Sequence, residues 1–154
     1  MKDVLAYLRL VHNPRDAVAF RRVVNVPSRG IGAKTVEEIE RAAGAGGESP
    51  WEATARLLDD AALPARALSP LRRFRDTVES LRAEAPARGL RALIERVLEL
   101  SGYGAALAHE DSQESQERLE NLAELLSAAA ARSSARFSSR SWLSCESSRA
   151  RADP

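Results

Sequence analysis

A chain of 154 residues, 44% of them hydrophobic, is long enough to fold as one domain around a buried core. Its 23 lysines and arginines nearly balance its 22 aspartates and glutamates, so the net charge of +1 excludes a strongly basic nucleic-acid binder and confines any such contact to a local patch. The one cysteine, Cys145, excludes an intrachain disulfide and a cysteine-held zinc, and His12 and His109 have no partner at ligand spacing.

Residues 3–11 predict a helix, because Val4, Leu5, Leu8 and Val11 recur at spacings of three and four, with Tyr7 at the edge of that stripe. His12-Asn13-Pro14 stops it, since proline cannot continue a helix. Asp16 is a good N-cap for a second helix reaching Val24, with Val18, Phe20, Val23 and Val24 as its apolar positions and one of Arg21 and Arg22 expected to face outward beside the turn that follows.

The stretch Val26-Pro27-Ser28-Arg29-Gly30-Ile31-Gly32-Ala33-Lys34-Thr35 then reads as a helix–hairpin–helix-like turn. Gly30 and Gly32 permit positive φ and a close backbone approach, and Ile31 between them plugs the gap between the helices. A helix opening at Ala33 points free N–H groups outward, where they attract phosphate. Arg29 and Lys34 supply positive charge there, and Thr35 opens a run of helix formers. The expected DNA-binding set is therefore Arg29, Gly30, Ile31, Gly32, Lys34 and Thr35, gripping backbone without reading sequence. The same Gly-x-Gly also suits a plain tight connection. Glu37, Glu38 and Glu40 lie on the water side of the helix 33–43 and restrict the contact to the turn.

Gly44 to Gly47 is expected to end that helix. Ser49-Pro50-Trp51-Glu52 is a start signal with Ser49 as N-cap and Glu52 returning a bond, and Trp51 is expected in the core. Residues 63–68 read as a connection, and Ser69-Pro70 as the opening of a helix striped by Leu71, Phe74, Val78 and Leu81. Pro86 marks a boundary before a helix over 87–100, with Leu90, Leu93, Ile94, Val97 and Leu98 forming a wide apolar face. Ser101-Gly102 breaks it, and a short helix from Tyr103 ends near His109. Asp111 or Ser112 starts a last helix with Leu119, Leu122, Leu125 and Leu126 inward and Glu110, Glu114, Glu117, Glu120 and Glu124 outward as solvated charge. No segment alternates as a strand does, so the fold class is all-α, with about seven or eight helices.

Beyond Ala131 serine and arginine dominate. Residues 128–154 hold five arginines against Glu146 and Asp153, a local charge of +3 that leaves −2 for the remainder. The reading divides the chain into a helical subdomain at 1–130 and a disordered tail at 131–154, the tail being either natural or the product of a frameshift. No apolar run approaches the roughly 18 residues of a membrane span, and no signal peptide opens the chain, so no membrane partner and a cytoplasmic setting are expected.

Three separated stretches together resemble the UvrD/PcrA/Rep family of superfamily 1 DNA helicases: residues 2–10 with Asn13-Pro14 and Phe20 to Gly32, then Ser101-Gly102-Tyr103, then Arg118 to Leu126. The resemblance covers roughly residues 1–130 and implies the accessory insertion (2B subdomain) of the second motor domain. It implies a helical subdomain whose Gly-Ile-Gly hairpin touches the duplex ahead of the fork, with duplex DNA or a single-strand/double-strand junction and the remaining motor domains as partners. The family's ATP-binding loop ending in Gly-Lys-Thr/Ser, its Asp-Glu pair for magnesium and its γ-phosphate-sensing arginines are absent. ATP and Mg therefore belong to the parent 3′-to-5′ helicase, and no cofactor, metal or catalytic residue is expected in this chain. The alternative reading is a protein-interaction or regulatory domain that acts on a helicase partner without touching DNA.

Overall fold

The computed structural model describes the backbone of residues 2–110 and 112–149 and the side chains of residues 2–110 and 112–131. Among these residues every regular element is helical: α1 (Lys2–His12), α2 (Ala17–Val23), α3 (Ala33–Gly46), α4 (Pro50–Asp59), α5 (Ala65–Glu84), a 3-10 turn (Ala85–Ala87), α6 (Leu90–Ser101), α7 (Tyr103–Glu110) and α8 (Gln113–Arg149). The boundary expected after residue 130 lies within α8. Of the disordered tail expected at 131–154, the side chains of residues 132–154 lie outside the described ones.

Helix α1 is the inner element. It packs against α2, α5 and α6, while α3 pairs with α4, and α6, α7 and α8 form a second layer. Val4, Tyr7 and Leu10 of α1 are wholly buried, as are Leu71, Phe74, Val78 and Leu81 of α5. Each such side chain contributes about 1.5–3 kcal/mol by leaving water. Phe74 centres an aromatic cluster, with ring centroids 5.9 Å from Phe20 and 6.1 Å from Trp51, both edge-on. Trp51 is thus a core residue, with its face covered by Arg75 at 4.8 Å.

Local signals act as their chemistry dictates. Asp16 Oδ1 accepts the Ala19 N–H at 2.8 Å, which holds the Asp16 carboxyl below the usual range. Ser49 and Glu52 form a complete capping box. Ser112 and Ser115 bond reciprocally at the start of α8, where Leu122 is buried and Leu119, Leu125 and Leu126 pack against the core.

Several expectations are corrected. Tyr7 lies at the centre of the core rather than its edge, because its hydroxyl reaches the Val26 carbonyl and so needs no water. Val18 is 72% exposed, since only Ala19, Phe20 and Val23 of the short α2 turn inward. Helix α3 runs through Gly44 to Gly46 and stops at Gly47, the residue there with φ of 64°. Helix α5 begins at Ala65, not Ser69, so Pro70 lies inside it. Buried Ala67 and Leu71, one turn apart, hold both sides of that proline on the core. Helix α6 opens at Leu90 behind Gly89, because the 3-10 turn at Pro86 occupies the residues before it.

Candidate nucleic-acid interface

The segment between α2 and α3 has no regular structure, and its shape is set by two side chains. Asn25 Oδ1 accepts the N–H of Arg29 at 2.8 Å and of Ile31 at 3.2 Å, so one amide folds the loop back on itself. The Val26–Pro27 peptide is cis and Gly30 has φ of 75°, a value that favours glycine. Ile31 is 1% exposed and enters the core. Gly32 is extended, and its carbonyl accepts from Thr35 at 3.0 Å and Val36 at 3.3 Å, which starts α3.

Gly32 provides no side chain to cap that helix. The N–H groups of Gly30, Gly32, Ala33 and Lys34 have no hydrogen-bond partner among the described residues. Gly30, Gly32, Ala33 and Lys34 are all exposed, the first turn of α3 carries no acidic residue, and Lys34 makes no ion pair among the described residues. The open amides and the positive end of the helix dipole thus lie beside an exposed lysine.

The six expected contact residues do not share one fate. Gly30, Gly32 and Lys34 lie at the surface. Ile31 is the plug the spacing predicts, and Thr35 is 6% exposed. Arg29 is engaged within the protein. Its Nη1 donates to the carbonyls of Val23 at 3.2 Å, Val24 at 3.4 Å and Pro27 at 3.2 Å. Its Nη2 donates to the Tyr7 hydroxyl at 2.6 Å and the Ser101 carbonyl at 3.4 Å. The guanidinium also lies 5.4 Å from the Phe74 ring centre. The half-buried guanidinium is thus held by main-chain carbonyls, a hydroxyl and an aromatic face.

The neighbouring cations are also engaged. Arg21 pairs with Glu40 at 3.2 Å and Arg22 with Asp3 at 2.8 Å. Asp3 in turn accepts from the Tyr103 hydroxyl at 3.0 Å. Burial, then that bond to Asp3, pushes the Tyr103 phenol up to about 12, while burial outweighs the Arg29 charge and raises Tyr7. Beside the turn a cleft of about 540 Å³ is lined by Ser28, Arg29, Arg73 and Asp76 among others.

Asn25 and Tyr7 are the positioning groups that sequence reasoning missed. An asparagine just before Pro27 and Gly30 is a turn signal that marks the first of them. Nothing local marks Tyr7. No group of three or more His, Cys, Asp or Glu residues among the described ones could hold a metal ion, and no stretch of the sequence ends in Gly-Lys-Thr/Ser. No helix among the described residues is long and apolar enough to cross a membrane.

Comparison with known proteins bears on the same segment. Residues 1–46 match the UvrD-like helicase C-terminal domain, a span that contains the whole turn. DNA helicase II of Escherichia coli (strain K12) is 38% identical over 128 residues, 83% of this chain and 18% of that protein. ATP-dependent DNA helicase PcrA of Bacillus subtilis (strain 168) is 41% identical over 127 residues, 82% of this chain and 17% of that protein. PcrA of Staphylococcus aureus (strain NCTC 8325 / PS 47) is 32% identical over the same length. The chain therefore spans less than a fifth of the length of these relatives. Over most of its own length it is homologous to DNA helicase II and PcrA, and its first 46 residues carry the sequence of a UvrD-like helicase C-terminal domain.

Proposed function

We propose that this chain is the duplex-binding accessory insertion (2B subdomain) of a cytoplasmic 3′-to-5′ DNA helicase, inactive alone and working with motor domains that bind ATP and Mg. The observation that carries this reading is the group of four unpartnered amides at Gly30, Gly32, Ala33 and Lys34, exposed beside a lysine free of ion pairs among the described residues. Such a group suits one phosphate of a duplex and ignores base identity. The homology to DNA helicase II and PcrA supports the choice of DNA over another anion. Within this reading Gly30, Gly32 and Lys34 touch the backbone, Ile31 and Thr35 hold the turn from beneath, and the motor is regulated by how this subdomain seats on the duplex.

The test is a titration of labelled duplex DNA with the full chain at low salt. Weak binding that falls steeply with salt is expected, since few phosphates are neutralised. Gly30→Val, with its helical content unchanged, is expected to abolish it. Absence of binding by the native chain, or binding untouched by Gly30→Val, contradicts the reading. Capture of a helicase motor without any DNA binding would favour the regulatory alternative, to which the exposed Glu114, Glu117, Glu120 and Glu124 of α8 are suited.

A further inference from the structure

We propose that Arg29 is a positioning residue, which shapes the turn through two helix C-termini and never meets the phosphate. This inference rests on the duplex-binding reading of the turn. The carbonyls that Arg29 holds belong to particular places. Val23 is the last residue of α2, Val24 is its C-cap, and Ser101 is the last residue of α6. Helix C-termini present unsatisfied carbonyls and partial negative charge, so one half-buried cation between two of them serves both. The same guanidinium holds Pro27 O within the turn and the Tyr7 hydroxyl from α1.

Only a planar fork reaches acceptors in so many directions at once. A lysine ammonium is a compact point charge and cannot replace it, although it keeps the charge. Asn25 completes the device by taking the N–H of Arg29 itself and of Ile31. With the main chain of residues 29 and 31 pinned inward, the intervening Gly30 and the following Gly32 are left facing out. The link to Ser101 also ties the turn to the α6–α7 corner, so the second layer of helices bears on the presentation of the amides.

The experiment compares the native chain with Arg29→Lys, Arg29→Gln, Tyr7→Phe and Lys34→Ala by duplex titration across salt concentrations and by amide hydrogen exchange without DNA. A positioning role predicts that Arg29→Lys and Arg29→Gln both weaken binding about tenfold, the loss expected of half-buried charge-assisted bonds. It predicts that both keep the native salt slope, and that the amides of residues 29 and 31 exchange faster in both. Tyr7→Phe should move affinity and exchange in the same direction by a smaller factor, with no charge changed. Lys34→Ala should lower the slope by about 0.9, as for one lost phosphate contact, and leave exchange alone. The proposal is overturned if Arg29→Lys binds and exchanges as the native chain does while Arg29→Gln loses about 0.9 of slope. If the native chain binds no duplex, the proposed function fails, and exchange still decides: faster exchange at 29 and 31 upholds the positioning role, unchanged exchange removes it. Where Arg29→Lys does not fold, Tyr7→Phe decides by the same readouts.

Discussion

The N-termini of α3 and α4 lie seventeen residues apart and solve the same problem in opposite ways. At α4, Ser49 and Glu52 close the helix end with their own side chains, and Pro50 removes one donor outright. At α3, Gly32 contributes no side chain, the first turn has no acid, and the donors stay open. Gly89 leaves α6 without a side-chain cap too, so an open end alone does not single out the turn. The difference is support. The approach to α3 is held by the side chains of Asn25 and Arg29, which bond the main chain of the turn, whereas the approach to α6 is held by the main-chain bond from the Arg88 N–H to the Ala85 carbonyl. A helix end becomes a candidate anion site when its donors are both unpaired and fixed.

That contrast can be broken in graded steps. Asn25→Ala strands the amides of Arg29 and Ile31 and is expected to destabilise the fold by about 2–3 kcal/mol, read by chemical denaturation. Gly30→Ala forces a side chain to φ of 75° at about 1–2 kcal/mol. The new Cβ would meet nothing within 4 Å, so the whole effect is backbone and no repacking variant should relieve it. Ser49→Ala opens the closed end at α4 and costs about 1 kcal/mol, without changing any DNA affinity.

The same closed end has a pH signature. Bonds from the Ser49 amide and hydroxyl, then from Arg15, hold Glu52 down to about 2 from an ordinary 4.5. A depressed carboxyl stabilises the fold above its ordinary value and loses that contribution as pH falls through the depressed one. The melting-temperature gap between the native chain and Glu52→Ala should therefore narrow between pH 4.5 and about 2. Smallest of all in stability is Lys34→Ala, expected within about 0.5 kcal/mol of native because its side chain is exposed and makes no ion pair among the described residues. Its effect belongs to duplex affinity and salt slope.

Much of the helical order was legible because caps and stripes are local. Asp16, Ser49 and Glu52 each do in the structure what their type and spacing imply. Ile31 as a plug was legible for the same reason: one large apolar residue between two glycines has nowhere else to go. The direction of Arg29 was not. An arginine next to a glycine turn reads as surface charge, and only the fold brings the ends of α2 and α6 and the Tyr7 hydroxyl around it. Pro70 misled in a related way. A proline after a serine marks a helix start when burial is ignored, yet Ala67 and Leu71 hold α5 continuous across it. Val18 failed for lack of a partner, since the seven residues of α2 can bury only one narrow face.

The most direct measurement follows the backbone amides of the full chain by NMR while a short duplex is titrated in at low salt. The account predicts that the resonances of Gly30, Gly32, Ala33 and Lys34 move together and saturate, while those of Glu52 and Ala53 at the closed end of α4 stay still. Shifts that leave all four turn amides in place, whether they appear elsewhere or nowhere, would contradict it.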